Sequence, residues 1–528
     1  MPLVQVKSFK QPRIAAAAQV AQLFTIPAPV GGLNYRDPIS AMQPTDALVL
    51  DNFIPKQTGV ELRKGWQYHT STVSLPIKSI FTYNAPDPAD NKIFAAAGGN
   101  IYDVTSGTPT LAVSGTSAQN DQWNTTQFAT NAGMFLLAVA PGAGYYTYDS
   151  INGWVQQSVT NLPTDVTSVA VWKRRVWFTE NESSKVWYLD SVDAITGTAT
   201  SFEMGSLLSI GGYVRGLINW TLDAGIGIDD HLVVIGSQGD VGVWAGTDPT
   251  AANSFALKGV WYVGPVPKYG RFFTGYGGDV MIVSTLGLVP ISRLVNGQFS
   301  EVQPGPSQKV QSVLSPLIAT LKDELSWDVF IAPDSDVLII KLPENGGVYQ
   351  QFAMNVNTGA WCTFSGIPMA CSALLNGQLY FGTEDGRVAK GLFGDSDGVE
   401  TDDTGGTPIE GDVQTAFNSF GTPAQLKKFG LARPIFIAPE APSVLARINT
   451  QYTFSNNAGS PSFVETNEGR WDQGLWNTAR WVGTANTYQA WIGTTGLGYY
   501  AALRMKVRGK PATIFTSSHM MTELGGVM

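Results

Sequence analysis

The sequence predicts a mostly-β protein: a six- or seven-bladed β-propeller with an N-terminal arm and a C-terminal β-sandwich-like domain. Three observations predict it. Helical periodicity is nearly absent beyond residue 25, where short apolar or alternating runs rich in β-branched and aromatic residues are separated by Gly, Asn, Asp and Pro turns. One hairpin pattern, an apolar strand, a polar Gly-containing turn and a second strand with an aromatic residue, recurs at intervals of roughly 40 to 57 residues, the length of a four-stranded blade. Charged residues make up only 14% of the 528, against about 25% in ordinary soluble domains. The polar surface must then come from Ser, Thr, Asn, Gln and Gly, as in turn-rich β proteins.

Residues 1–74 read as an N-terminal arm and docking segment. Lys7, Lys10 and Arg13 precede the apolar stretch Ile14–Phe24 and imitate a signal peptide, but Gln19 and Gln22 interrupt its core, so it reads as a short helix or an extended arm. No run approaches the roughly 18 apolar residues of a membrane span.

Residues 75–391 carry the repeated hairpins: Lys92–Tyr102, Met134–Tyr148, Arg175–Tyr188, His231–Trp244, Asp279–Ile291, the looser Trp327–Leu342, and Gly377–Ala389. A single blade cannot bury both its faces. Stacking blades about an axis supplies the missing contacts and shields the sheet edges. Two packed β-sandwiches would also produce many short strands; the regular aromatic-ended hairpins favour the propeller. Residues 392–412, acidic and Gly-rich, read as a solvated linker, and residues 413–528 as a separate C-terminal β domain.

The same residues argue against an enzyme. The three histidines, His69, His231 and His519, have no Cys or His at ligand spacing. His231 follows Asp230 but opens an apolar strand, and no Gly-x-Ser-x-Gly elbow occurs. Asp395 and Asp397 before Gly398 hint at a calcium loop, yet the remaining ligand positions are missing. No catalytic, cofactor-binding or metal-binding residue is therefore assigned, and no cofactor is expected. Cys362 and Cys371 could pair across a turn, but two cysteines in 528 residues are not a disulfide framework; they read as free buried thiols.

The net charge of −9 disfavours stable binding to nucleic acid, which needs clustered Lys and Arg. The densest basic run, Arg504–Lys510, places Lys506, Arg508 and Lys510 at alternate positions on an apparent strand and reads as a solvated face.

Three segments together carry a resemblance. The first is Pro29–Pro38 (PVGGLNYRDP) with Asp46–Pro55 (DALVLDNFIP) and Val60–Trp66 (VELRKGW). The second is Trp471–Trp481 (WDQGLWNTARW), and the third is Thr522–Met528 (TELGGVM). In this combination, and in its order of arm, propeller-like middle and C-terminal β domain, the chain resembles the tail-tube hub proteins, or tail nozzles, of short-tailed bacteriophages.

The resemblance implies a structural protein of the virion tail: a homo-hexameric ring below the portal and adaptor through which DNA passes without specific binding. It also implies contacts with tail fibres or spikes and with a needle or plug. Trp471, Trp476 and Trp481, spaced every five residues, fit neither strand nor helix periodicity and are the interface candidates. Six copies at −9 each carry −54, so an acidic lumen that repels phosphate is expected. The alternative function is a glycan-binding propeller lectin or receptor-binding protein, with Trp220, Trp244 and Trp261 available to stack on sugars.

Overall fold

The computed structural model describes residues 21–221, 230–251, 254–297, 305–457, 459–463 and 485–527. It is mostly β, with a propeller arrangement of five separate sheets beside a larger composite sheet. Blade I runs from the inner strand Ser79–Tyr83 to the outer strand Thr110–Val113. Blade II runs from Asn124–Thr130 to Gly153–Gln156, blade III from Val166–Trp172 to Ala199–Glu203, and blade IV from Val214–Thr221 to Phe255–Tyr262. Each has four antiparallel strands. Blade V has three, Phe273–Tyr276, Asp279–Ser284 and Gly287–Pro290.

Every hairpin expected from the sequence forms. Five supply the middle or last strands of blades I to V, as in Asp230–Gly236 with Asp240–Gly246. The other two pair as Asp328–Ala332 with Val337–Lys341 and as Gln378–Gly382 with Val388–Gly391, both within the composite sheet.

Blade IV shows why its run is continuously apolar rather than alternating. Successive side chains point to opposite faces of a strand. Leu232 and Val234 pack with Trp172, Trp177 and Tyr188 of blade III, whereas Val233 and Ile235 pack with Val280 and Ile282 of blade V. Both faces are interior, so both parities must be apolar. The same division recurs between blades II and III, where Phe135 and Leu137 meet Val176 and Phe178. Between blades I and II an aromatic group of Phe81, Tyr83, Phe94, Tyr148 and Trp154 fills the gap, with Phe94 and Tyr148 centroids 4.7 Å apart.

The remaining strands merge into a thirteen-stranded sheet that is nearly closed and barrel-like, and a seven-stranded sheet built from both chain ends. The segment expected to be an arm is stitched into both. Ala21–Pro27 pairs along Ile514–Val527, and Phe53–Pro55 with Val60–Leu62 extends the same sheet. Ala47–Asp51 lies between Trp361–Phe364 and Gly405–Thr415, and Trp66–Tyr68 adds a fourth strand to Cys371–Gly391. Residues 14–20 lie outside the described residues.

At Gly32 the chain turns. Its φ is +72°, and a Cβ there would lie 2.6 Å from the backbone N and O of Trp361, so only glycine fits.

Residues 392–412 are not a solvated linker. Ser396–Val399 and Gly405–Thr415 are strands, and the second pairs antiparallel with Ala501–Gly509. The acidic stretch and the basic stretch turn out to be cross-strand partners. Arg504 contacts Asp412 at 2.7 Å, and Glu410 receives both Lys506 at 2.9 Å and Arg508 at 3.0 Å. Carboxylates opposite cations stabilise a ladder that local composition alone reads as solvent-loving. The basic run is therefore a neutralised face, partly covered, rather than a solvated one. For the same reason residues 413–527 are no separate domain: their sheets are completed by N-terminal strands.

Candidate functional site

Two places concentrate polar chemistry: the seam that joins the chain ends, and the propeller axis. At the seam, Asn52 breaks the strand after Asp51 with a φ of +59°, a conformation asparagine tolerates better than most residues. Its side-chain carbonyl then accepts from Arg63 Nε at 2.7 Å and from the Ser365 amide at 3.0 Å. The Arg63 guanidinium is fully buried and uses all five N–H donors. Beyond Asn52 they reach the carbonyls of Lys64 and Ser365 at 2.9 and 2.7 Å, and grip Asp397 in two parallel bonds of 2.8 and 2.7 Å. Trp66 Nε1 donates to the Gly366 carbonyl at 2.9 Å. Asp397, a candidate of the calcium-loop reading, is thus an arginine partner. Among the described residues no His, Cys, Asp and Glu cluster could hold a metal ion.

The axis is divided into separate cavities. One of them, about 850 Å³, opens where the inner strands of blades II to V end and is lined by Phe128, Asn219, Trp220 and Gly275. Lys173 and Arg174 also line it, from the two-residue turn between the first two strands of blade III. Their φ angles are +49° and +59°. Such primed turns normally take Asn or Gly, as Asn376-Gly377 does with φ of +52° and +82°. Two cations hold this conformation at the mouth of a cavity, and backbone strain of this kind concentrates at functional positions. Lys173 lies 3.8 Å from Asp230, and Arg174 lies 2.5 Å from Asp193.

Farther in, Arg271 joins three neighbouring inner strands. Its guanidinium contacts Asp328 at 2.8 Å and the Ser372 carbonyl, while Ser372 Oγ donates to Asp328 at 2.6 Å. The passage around it narrows to cavities of about 270, 50 and 40 Å³.

Behind this throat the Lys341 ammonium is buried and donates to the carbonyls of Ala370, at 2.6 Å, and Ser326. Burial lowers its pKa from 10.5 to about 8. Between those two values the unfolded chain holds the proton that the folded chain has lost, so stability rises with pH across that window. Burial pushes the neighbouring Cys371 thiol from 9.0 up to about 12, which works in the opposite direction above pH 9. The difference between wild type and Lys341→Met isolates the lysine. Wild type should gain about 3 kcal/mol on the variant between pH 8 and 10.5, measured by urea unfolding at each pH; a flat difference would contradict the burial argument.

Several sequence candidates are repositioned. Trp220 and Trp244 are largely interior, at 3% and 7% exposure, and offer little ring face to a sugar, although Trp220 borders the axial cavity; Trp261 is half-buried against the core that holds Trp220. His231 sits on its strand beside Trp220, with ring centroids 5.7 Å apart. Cys362 and Cys371 are free and buried. Trp471, Trp476 and Trp481 lie outside the described residues. Sequence reasoning missed Arg63, Arg215 and Arg271, because isolated arginines carry no local motif; the positively charged turn Lys173-Arg174 was the one readable signal.

No family model matches the chain, and no curated protein matches it. Among solved structures, the crystal structure of the computationally designed Ika8 protein is similar at 10% identity and a TM-score of 0.36, over 62% of this chain and all of that one.

Proposed function

We propose that the chain is a non-enzymatic structural protein of a short-tailed bacteriophage tail, the subunit of a hexameric nozzle that continues the DNA channel below the portal and adaptor. One observation carries this reading. The described segments that bear the resemblance, residues 29–38, 46–55, 60–66 and 522–527, all belong to the seam where the two chain ends are built together. A seam of this kind makes the ends a rigid mount for the propeller, which suits a ring component bearing fibres on one side and a needle or plug on the other.

The axis of the propeller itself is no conduit. Its throat is crossed by Arg271 and Asp328, and a duplex has a major groove alone about 12 Å wide. The channel must therefore run between subunits. We read the two outlying parts of the composite sheet, Asp328–Phe364 and Cys371–Gly391 with Trp66–Tyr68, as sixth and seventh blades. This is supported by the packing of Cys371–Leu375 against the inner strand of blade I.

Electron microscopy of the assembled tail should show a six-fold ring whose bore is net acidic and lies outside each propeller. A different symmetry, a bore lined by Lys and Arg, or tight salt-dependent duplex binding would contradict the proposal.

The glycan-binding reading keeps one supporting observation, the cavity of about 850 Å³ at the axial mouth, which lies within the size range of ligand pockets. A monomer that binds a glycan array and loses binding in Asn219→Ala would favour it over the ring.

A further inference from the structure

The opposite end of the axis holds an arginine that no carboxylate balances among the described residues. Arg215 opens the inner strand of blade IV at a register shift between Val214 and Gly216. Such a bulge places an extra residue in the strand and re-aims its side chain. Here the side chain enters a cavity of about 50 Å³ at the start of the inner strands. The residue is 9% exposed. Nε donates to the Pro267 carbonyl at 3.1 Å, and the guanidinium carbon lies 5.8 and 5.9 Å from the rings of Tyr269 and Phe272. No carboxylate pairs with it among the described residues.

Two further cations line the same cavity, and each already has a carboxylate: Lys268 with Glu182 at 2.8 Å, and Arg271 with Asp328 at 2.8 Å. Three positive charges thus face two negative ones. A buried charge without a partner is costly, and the planar guanidinium fork matches an oxyanion in two parallel bonds. The volume exceeds the roughly 10–15 Å³ that a single water needs.

We propose that this cavity is a binding site for a single oxyanion, a phosphate- or carboxylate-sized group held by Arg215 with Lys268 and Arg271 around it. Burial also lowers the Arg215 pKa from 12.5 to about 10, the direction expected of an uncompensated cation.

The test measures the thermal midpoint of the full chain in sodium phosphate, sodium sulfate and sodium acetate against sodium chloride at equal ionic strength. A saturable rise of a few degrees is expected in at least one oxyanion, with about one site by calorimetric titration. Tetrahedral anions acting alone point to a phosphate-like ligand, and acetate acting alone points to a carboxylate. Arg215→Met should fold, since it removes an unpaired buried charge, and should lose the shift; Arg215→Gln provides a second, polar replacement. Midpoints in the oxyanions equal to those in chloride would overturn the proposal, as would a shift retained in both variants.

Discussion

Replacing Arg63 by Met should destabilise the protein by about 3–5 kcal/mol, the loss expected when one partner of a buried ion pair is removed. Methionine keeps much of the volume, so the cost is electrostatic. Asp397, 14% exposed, keeps its charge and loses both of its bonds to the guanidinium, while Asn52 Oδ1 and the carbonyls of Lys64 and Ser365 lose their donor. Asn52 would then hold its left-handed backbone with one fewer anchor. The measurement is urea unfolding of Arg63→Met, Asp397→Leu and the double variant. The double variant should recover part of the loss, because no unpaired charge remains. A loss below about 1 kcal/mol for Arg63→Met would mean that the pair is effectively solvated.

Trp361→Ala should cost a similar amount, about 3–5 kcal/mol, the range for emptying a buried aromatic site. Trp361 is fully buried, and its Nε1 donates to the Pro306 carbonyl at 2.9 Å. Its backbone carbonyl accepts from Leu33 at 2.8 Å, directly beside the close approach of Gly32. Truncation therefore leaves a cavity beneath the N-terminal strands rather than within blades I to V. Hydrogen exchange distinguishes the two places: protection should fall over residues 21–62 and 361–364, while the inner strands of blades II to IV stay protected. Uniform loss across all blades would show that seam and propeller unfold as one unit.

The hairpins were readable because their causes are local. A Gly- or Asn-containing turn and two strands of suitable parity lie within about 15 residues, and the continuous apolar runs at His231–Ile235 and Met281–Val283 report burial on both faces. The acidic stretch at 392–412 was misread for the complementary reason. Its composition matches a solvated linker, and apart from Arg387 on Glu400 the neutralising partners named above, Arg63, Arg504, Lys506 and Arg508, are 92 or more residues away. Of the axial chemistry only the Lys173-Arg174 turn left a trace in the sequence. Arg215 and Arg271 acquire meaning from what faces them across the axis, as Asp328 does from Ser372.

By itself, then, the sequence determined that this protein is mostly β, built on repeated hairpins, poor in charge and without the motifs of a hydrolase or a zinc site. These follow from periodicity, turn chemistry and composition, all of which act at short range. Only the tertiary structure decided which strands complete which sheets: Trp66–Tyr68 beside Val388–Gly391, Ala21–Pro27 along Ile514–Val527, and Glu410 opposite Arg508. The physical reason is that the cost of closing a loop grows only logarithmically with its length. An exposed strand edge pairs with whatever partner best satisfies its backbone and its charges, however distant in the chain. Sequence separation carries no record of that choice.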